Sequence, residues 1–569
     1  MQNPAKYVLM ALMLLLGGGE IWRRLDMLST PEIQPVGMIA FGGLFLLCVI
    51  SLVGFAMLRS DWLRWPFAAL LAAGSMLVDS YQWAVGDFME YESFLTMMQS
   101  AGDIGSAMAQ QGMAIALSAG KALLLLFAVG LNPQPTSHIA ARAARWSAIP
   151  IVLFLTVLLF FRGGEGASGL PSSHSGFSYA LLHSIEYLTA QHGEREQVSY
   201  QPSAERRAAD IVLVIDESIA GAYLDINSDT GVYSGLVSPM TSIAVHNFGL
   251  AASITHCSVG SNLALRFGGL RDNYRHIIRT KPSIWAYAKA VGMKTVYIDA
   301  QRTGGRYQNQ MDDSERALID DWRQFDHVPV LHRDHAVADK LAGYLNDNEV
   351  QFILVNKVGA HFPVNDKFPE KYAKYRPMLK RGQFADVTDT AMNNSLDGRQ
   401  STWVLYRNSY RNTLLWNVGG FFDRLFARAN IGDATIIYTS DHGQTFHERG
   451  EKGQATHCTP NPEIEEGLVP LVVIGGSADE QEAWKQAARA GKNQRSHYRI
   501  FPTILSLMGF DNGKVEKDYG PDLISSQPDP FTFNTRFNAR LGSDPVWKKI
   551  PLEKVARPPV SDYSTTRHR

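Results

Sequence analysis

Long apolar segments in the first third of the chain are the strongest constraint on how it can fold. Five such segments occupy residues 7–19, 36–58, 65–85, 113–131 and 147–161. All except the first and last approach the roughly 20 residues that a helix needs to cross a bilayer. The first is short enough to be the core of a signal peptide, and the last can extend through Trp146. We therefore predict an N-terminal α-helical membrane domain of about five spans, covering residues 1–161.

The distribution of basic residues predicts the orientation of these spans. The short loop with Arg59 and Arg64 and the loop with Arg142 and Arg145 carry the positive charge, whereas residues 87–111 contain acids and neither Lys nor Arg. Loops rich in Lys and Arg remain in the cytoplasm. We therefore expect everything after residue 161 to lie on the outer side of the membrane.

The remaining sequence reads as a connector, a soluble domain and an arm. Residues 162–207 are rich in Gly, Ser and polar residues and include a candidate interfacial helix at residues 177–190. From residue 208 to 526, apolar strands such as "DIVLVID" and "QFILVN" alternate with helical stretches, which predicts an α/β domain with a mostly parallel sheet between layers of helices. Residues 527–569 are Pro-rich and polar, as expected of a surface arm.

The overall charge argues against one class of partner. The chain has 54 basic and 55 acidic residues, so it lacks the basic excess of a nucleic-acid-binding protein.

Polar residues follow several of the predicted strands. Glu217 follows "VLVID", His361 follows "FILVN", Asp441 and His442 follow "IIYTS", and His457 lies in "ATHCTP". Ligands gather at the carboxyl ends of parallel strands. Carboxylate oxygens and imidazole nitrogens are suitable ligands for zinc. Each residue taken alone also fits a polar turn, a helix cap or a core histidine.

Together, these motifs resemble a known family. "DES", "GAHFPVNDKFPEKYAKYRP", "YTSDHGQ", "THCTP" and "LVPLVVIGG" occur in the order found in phosphoethanolamine transferases and, more distantly, lipoteichoic acid synthases. Those enzymes are membrane-anchored members of the alkaline phosphatase and sulfatase superfamily. The resemblance covers residues 208–520 and implies the fold of that superfamily. It also implies a multi-pass protein of the bacterial inner membrane with its catalytic domain in the periplasm.

The resemblance implies roles for the residues at the strand ends. Glu217, Asp441, His442 and the nucleophile's oxygen would hold one zinc ion. His361 and His457 would contact the transferred phosphoryl group. A hydroxyl coordinated to zinc becomes a nucleophile near neutral pH. A second metal ion, with Asp216 or His447 as further ligands, would instead indicate a phosphatase or phosphodiesterase.

The nucleophile is expected in the stretch "ASITHCSVGSNLALR" at residues 252–266. The family's nucleophilic Thr is followed three positions later by a Ser, and this offset pairs Ser258 with the nucleophile and Ser261 with the later Ser. Cys257 and Thr255 remain alternatives. The Cys-x-Pro-Ser-Arg motif of sulfatases disfavours Cys257, because this chain has Val259 and Ser261 where that motif requires Pro and Arg.

Two further expectations concern substrate contacts and cysteines. Arg302 and Arg306 fall in the region that the family uses for head-group binding, and Thr96 and Gln99 lie in an outer loop that could contact the donor lipid. Cys257 and Cys458 each lie beside a histidine of the candidate site. An oxidising compartment permits them to pair, although two separate buried thiols are the alternative.

The predicted activity is zinc-dependent transfer of phosphoethanolamine from phosphatidylethanolamine through a covalent serine intermediate. The acceptor would be lipid A, a core sugar or a polysaccharide of the cell envelope. A phosphoglycerol transferase, a phosphodiesterase or phosphatase of the same fold, and a catalytically silent membrane scaffold are the alternatives.

Overall fold

A computed structural model of the chain describes residues 4–16, 19–28, 35–85, 88–99, 104–133, 139–162, 164–189, 195–202, 210–237, 243–382, 398–432, 434–451, 453, 455–459, 461–537 and 544–565. These residues form two compact units. One comprises Met1–His192 with Asn538–Asp544, and the other Gly193–Phe537 with Pro545–Arg569.

The regular secondary structure in the described part of the first unit is helical. Its helices are α1 (Pro4–Leu16), α2 (Gly19–Leu28), α3 (Pro35–Ala56), α4 (Asp61–Val85), α5 (Tyr91–Gln99), α6 (Ile104–Gly130), α7 (Ile139–Phe161) and α8 (Ser172–Thr189). By length and composition, four stretches of the described residues can cross a membrane: Pro4–Leu25, Val36–Ala56, Gly112–Gly130 and Arg142–Phe161. The predicted membrane domain is confirmed, with an approximate number of spans.

The predicted segment at residues 65–85 is not among these four stretches. It contains Asp79, which forms an ion pair within this unit. The segment forms most of α4, and the Lys121 ammonium on α6 lies 2.9 Å from Asp79 Oδ1. The hydroxyls of Ser75 and Ser172 donate to the same carboxylate, each over 2.7 Å. Polar side chains of α4, α6 and α8 therefore meet at the Asp79 carboxylate. The predicted interfacial helix at residues 177–190 falls largely within α8.

The second unit is built on an eight-stranded sheet. Its strands are β1 (Ile211–Asp216), β2 (Val245–Ala252), β3 (Lys294–Asp299), β4 (Asp321–Gln324), β5 (Gln351–Asn356), β7 (Thr435–Ser440), β8 (Leu468–Gly475) and β9 (Arg495–Ser496), and β6 (Tyr375–Arg376) lies outside this sheet. The order is β4-β3-β5-β1-β7-β8-β2-β9. The five strands from β4 to β7 are parallel, whereas β8 is antiparallel to both β7 and β2. The predicted, mostly parallel sheet is confirmed.

Helices cover this sheet because its central strands are apolar on both faces. Every residue of β1, β5, β7 and β8 is buried, as expected of parallel strands covered on both sides. The helices are α9 (Ser258–Phe267), α10 (Tyr274–Thr280), α11 (Ile284–Ala290), α12 (Asp313–Arg316), α13 (Val330–Leu345), α14 (Gln400–Leu414), α15 (Gly420–Phe426), α16 (Ala478–Ala490), α17 (Ile500–Leu507) and α18 (Asn512–Tyr519). A π-helical turn at Leu415–Gly419 joins α14 to α15.

Described residues near the C-terminus pack onto this unit. β10 (Thr532–Asn534) pairs with β11 (Trp547–Lys549), and β12 (Ser564–Thr565) pairs with β6. Between these pairs, the Asp562 carboxylate accepts hydrogen bonds from the Arg407 guanidinium on α14, one of them over 3.1 Å. The C-terminal residues therefore fix α14 through a buried ion pair.

Candidate active site

The carboxyl ends of β1 and β7 lie side by side and carry three acidic and imidazole side chains. Asp216 at the end of β1 is in register with Ser440 at the end of β7, and the Asp441 amide donates to the Asp216 carbonyl over 3.0 Å. Glu217 follows the first strand, and Asp441 and His442 follow the second. The register of two parallel strands thus brings together residues more than 200 positions apart.

The side chains of Glu217, Asp441 and His442 form a compact buried group. Each offers one ligand atom, and these atoms all lie within 4.8 Å of one another. His442 Nε2 is 3.6 Å from Glu217 Oε1 and 3.7 Å from Asp441 Oδ2. Because His442 Nδ1 donates to the Gly443 carbonyl over 2.7 Å, Nε2 presents its lone pair to the two carboxylates. Two carboxylates and an oriented imidazole are a donor set that fits zinc.

The electrostatics of this group also favour a cation. Asp441 Oδ2 is buried and has no hydrogen-bond partner among the described residues. Burial, and then the adjacent Glu217 carboxylate, raise the pKa of Asp441 to about 7. Ionising a buried carboxylate beside a second carboxylate is costly, and a divalent cation held by the two would offset this cost.

Ser258 contacts this group directly. It is the first residue of α9, and its Oγ lies 3.2 Å from Glu217 Oε1 and 3.2 Å from His442 Nε2. Cys257, the preceding residue, is bonded to Cys458 in a disulfide and has no free thiol. Thr255 Oγ1 instead lies 3.4 Å from His256 Nδ1. Of the three sequence candidates, Ser258 is therefore the one whose side chain faces the carboxylates.

The disulfide brings a second loop to the same place. His457 precedes Cys458, and its ring stacks on His442 with a centroid separation of 4.4 Å. The His361 ring lies 6.4 Å from the His457 ring. Burial, and then the neighbouring imidazoles of His442, His361 and His256, hold the pKa of His457 well below its ordinary value. His457 is therefore a neutral imidazole at pH 7.

A glutamine that the sequence analysis missed orients Glu217. Gln301 Nε2 donates to Glu217 Oε2 over 3.0 Å and to the Lys357 carbonyl over 2.8 Å. Gln301 lies two residues after β3, so the strand-end rule that identified the other residues would also have found it. Gln308 donates in turn to Gln301 Oε1, and Arg302 Nε donates to Gln308. Arg302 thus connects to Glu217 through two amides.

Arg306 and His447, also candidates from the sequence, make their described contacts away from the carboxylate group. Arg306 is exposed, and its Nε donates to the Thr303 carbonyl over 3.3 Å. Thr96 and Gln99 lie in α5, and their side chains are outside the part of the chain that the structure describes. His447 Nε2 contacts the Ala455 carbonyl over 3.0 Å, and its ring packs on Trp403.

Comparisons with known proteins identify the family of the chain. The family model described as Sulfatase matches residues 209–510. The Kdo(2)-lipid A phosphoethanolamine 7''-transferase of Salmonella typhimurium is 24% identical over 281 residues, which are 46% of this chain and 46% of that protein. The phosphatidylethanolamine transferase Mcr-1 of Escherichia coli is 25% identical over 174 residues, or 30% of this chain and 29% of that protein. The chain spans less than half the length of these curated relatives.

A solved structure shares the fold of both units. The integral membrane protein lipooligosaccharide phosphoethanolamine transferase A (EptA) from Neisseria meningitidis matches with a TM-score of 0.61 and 15% identity, over 90% of this chain and 97% of that chain. The resemblance inferred from the motifs, and the fold that it implied, are confirmed.

Proposed function

The chain belongs to the sulfatase family, and we propose that within it the protein transfers phosphoethanolamine from phosphatidylethanolamine to a lipid or glycan acceptor of the cell envelope. We propose that it does so from the bacterial inner membrane with the Gly193–Phe537 unit in the periplasm. The observation that carries the proposal is the position of the Ser258 hydroxyl, 3.2 Å from both Glu217 and His442. The relatives' names supply the donor and the class of acceptor.

The choice of transfer over sulfate-ester hydrolysis is supported by the nucleophile loop. Sulfatases use a cysteine that is converted to formylglycine, and this conversion requires a free thiol. Cys257 is instead held in a disulfide with Cys458. Ser258 presents an unmodified hydroxyl, which forms a phosphate ester when it attacks phosphorus.

Glu217, Asp441, His442 and the Ser258 oxygen would hold the zinc ion. When bound, zinc lowers the pKa of a coordinated hydroxyl and neutralises charge on phosphoryl oxygens. Gln301 holds the Glu217 carboxylate in place, and the Gly443 carbonyl holds the His442 ring. Zinc binding and the metal count are part of the proposal.

The chain's own residues perform the two half-reactions. Ser258 Oγ attacks phosphorus, the bond from phosphorus to the diacylglycerol oxygen breaks, and diacylglycerol leaves with a proton. The His457 ring stacks on His442, which contacts Ser258, and the His361 ring lies 6.4 Å from His457. These imidazoles would donate hydrogen bonds to phosphoryl oxygens, and an imidazole that accepts the Ser258 proton would pass it to the leaving oxygen. An acceptor hydroxyl or phosphate oxygen then attacks the same phosphorus, the bond from phosphorus to Ser258 Oγ breaks, and Ser258 Oγ takes up a proton, which a hydroxyl acceptor supplies.

The covalent intermediate provides the test. The purified full-length protein in detergent is incubated with phosphatidylethanolamine and zinc but no acceptor, digested, and analysed by mass spectrometry. We expect phosphoethanolamine on Ser258 in the peptide spanning residues 252–266. Ser258→Ala should abolish the adduct. Ser261→Ala is the matched control, since the Ser261 hydroxyl lies in the same peptide but donates to the Thr255 carbonyl over 3.2 Å.

The alternatives give different results in the same experiment. A phosphoglycerol adduct formed only from phosphatidylglycerol would replace the proposed donor and keep the reaction class. Phosphoethanolamine on Thr255 would overturn the choice of nucleophile. Release of free phosphoethanolamine without any adduct would indicate a hydrolase, and no turnover by a zinc-loaded sample would contradict the enzymatic proposal.

A further inference from the structure

A fully buried lysine lies directly behind the candidate metal ligands. The side chains of Lys357 and Asp216 are 0% exposed, and that of Asp334 is 1% exposed. Lys357 follows β5, and Asp216 ends β1 immediately before Glu217. Burying an ammonium group is costly unless oxygens replace its water. The groups that contact the Lys357 ammonium therefore show how its charge is compensated.

Three oxygens surround the Lys357 ammonium. Its Nζ lies 2.6 Å from Asp216 Oδ2, 2.7 Å from the Asn417 carbonyl and 3.8 Å from Asp334 Oδ2. The Phe421 ring centroid lies 4.3 Å from the same Nζ. Two carboxylates and a backbone carbonyl are the ligand types that hard divalent cations take. The lysine thus occupies an all-oxygen cation position.

Other contacts hold these oxygens in place around the ammonium group. Asp216 Oδ1 accepts from the Glu217 amide and Asp216 Oδ2 from the Tyr438 hydroxyl, each over 3.0 Å. The Asp334 carboxylate accepts from the amides of Val358 and Gly359 over 2.8 and 2.9 Å. The carboxylates are therefore fixed by the backbone of the active-site loops as well as by the lysine.

Gly359 allows these loops to approach each other. A Cβ at Gly359 would lie 2.4 Å from Asp216 Oδ1 and 2.5 Å from the Glu217 carbonyl, so no larger residue fits there without movement.

We propose that Lys357 is a built-in cation that takes the place of a second metal ion and limits the active site to one. This inference rests on the proposed metal site at Glu217, Asp441 and His442. It goes beyond the proposed function, because it states why Asp216 and Asp334, although adjacent to that site, do not recruit a metal. Lys357 acts here as a positioning residue and makes no contact with substrate.

Removing the ammonium group should therefore create a second cation site. Lys357→Ala leaves Asp216, Asp334 and the Asn417 carbonyl around a space for a metal ion and water. The full-length variant is loaded with zinc in detergent and titrated with Mn²⁺. Electron paramagnetic resonance should show about one bound Mn²⁺ per chain, and the melting temperature should rise with Mn²⁺ concentration. The wild-type protein should show neither effect, and its zinc content should stay constant.

Two control variants separate the cation position from a loss of stability. Lys357→Met removes the charge but fills the space, so it should bind no Mn²⁺. Leu354→Ala truncates a buried residue of β5, the strand that precedes Lys357. The melting temperature of this variant should not respond to Mn²⁺.

Each remaining outcome decides the question. Recovery of Lys357→Ala only when Mn²⁺ is present during purification supports the proposal. A variant that binds no Mn²⁺, or that is recovered with and without Mn²⁺ in equally unfolded form, shows that Lys357 forms a structural ion pair only. The proposed function is tested separately by the zinc content and the Ser258 adduct of the wild-type protein.

Discussion

The disulfide between Cys257 and Cys458 joins the nucleophile loop to the loop of His457, and its removal is a quantitative test of the site. The bond closes a loop with a sequence separation of 201 residues. In the chain-entropy model, a loop of that length gives about 5 kcal/mol of stabilisation through restriction of the unfolded chain. With roughly 2 cal/mol/K of unfolding entropy per residue of the soluble unit, this corresponds to a decrease in melting temperature of about 7 °C.

The perturbation is the double variant Cys257→Ala/Cys458→Ala, and calorimetry of the full-length protein in detergent measures the soluble-unit transition. We also expect the rate of adduct formation on Ser258 to fall, because the disulfide fixes the residues that flank Ser258 and His457. Zinc content should be retained, since Glu217, Asp441 and His442 follow strands of the sheet. Cys48→Ala is the matched control, because Cys48 is a buried free cysteine of the other unit. An unchanged melting temperature together with an unchanged rate would refute the reasoning.

Three further variants test other contacts. Gln301→Ala should weaken zinc binding roughly 10- to 100-fold, measured by chelator competition, because the amide that orients Glu217 is lost. Burial raises the pKa of Glu466 from 4.5 to about 8. The protonated Glu466 therefore contributes to the free energy of unfolding in full below pH 4.5, and this contribution is lost as the pH rises through about 8. The melting temperature of Glu466→Gln should therefore gain on wild type as the pH rises from about 5 to 8, and a constant difference would contradict this. Asp562→Ala should destabilise the soluble unit by about 3–5 kcal/mol in denaturant titrations, because Arg407 is left buried without its carboxylate; a variant as stable as wild type would show that the C-terminal pair contributes nothing.

The parts of the fold that were predictable follow from local pattern. Continuous apolar runs such as β1 and β7 are typical of strands buried on both faces, and the polar residues that follow them, Glu217, Asp441 and His442, are recognisable from the sequence alone. The antiparallel direction of β8 was not predictable from "LVPLVVIGG", because a buried run has the same composition in either direction. The π-helical turn at Leu415–Gly419, which separates α14 from α15, has no simple sequence signal.

The contacts behind the site could not be predicted, because they depend on strand order. Lys357, Asp216 and Asp334 lie on three different elements, and only the adjacency of β5 and β1 brings the first two together. In the sequence, Asp216 appeared as a candidate ligand for a second metal, since nothing in "VLVIDES" reveals the lysine that follows another strand. The sequence does not show whether an aspartate forms an ion pair or is available to bind a metal ion, because its partner is set by the tertiary structure.

In the proposed site, four buried carboxylates would be divided between a metal ion, held by Glu217 and Asp441, and the ammonium group of Lys357. Glu217 contacts Ser258, whereas Asp216 contacts Lys357, and Asp334 lies near the same ammonium group. A fixed ammonium balances charge but carries no water that can be deprotonated. Two-metal hydrolases, by contrast, use their ions to hold both the attacking and the leaving oxygen.

This difference bears on the lifetime of the covalent intermediate. If the chain provides one activated oxygen, and that oxygen belongs to Ser258, then water lacks an equivalent activating group once the phosphoserine has formed. The adduct should therefore persist without acceptor and decay quickly when an acceptor hydroxyl is bound beside it, because binding supplies the proximity that water in solution lacks. Time-resolved mass spectrometry of the Ser258 peptide after removal of phosphatidylethanolamine would measure this. A decay as fast in water alone as with acceptor would mean that hydrolysis is the activity of this site.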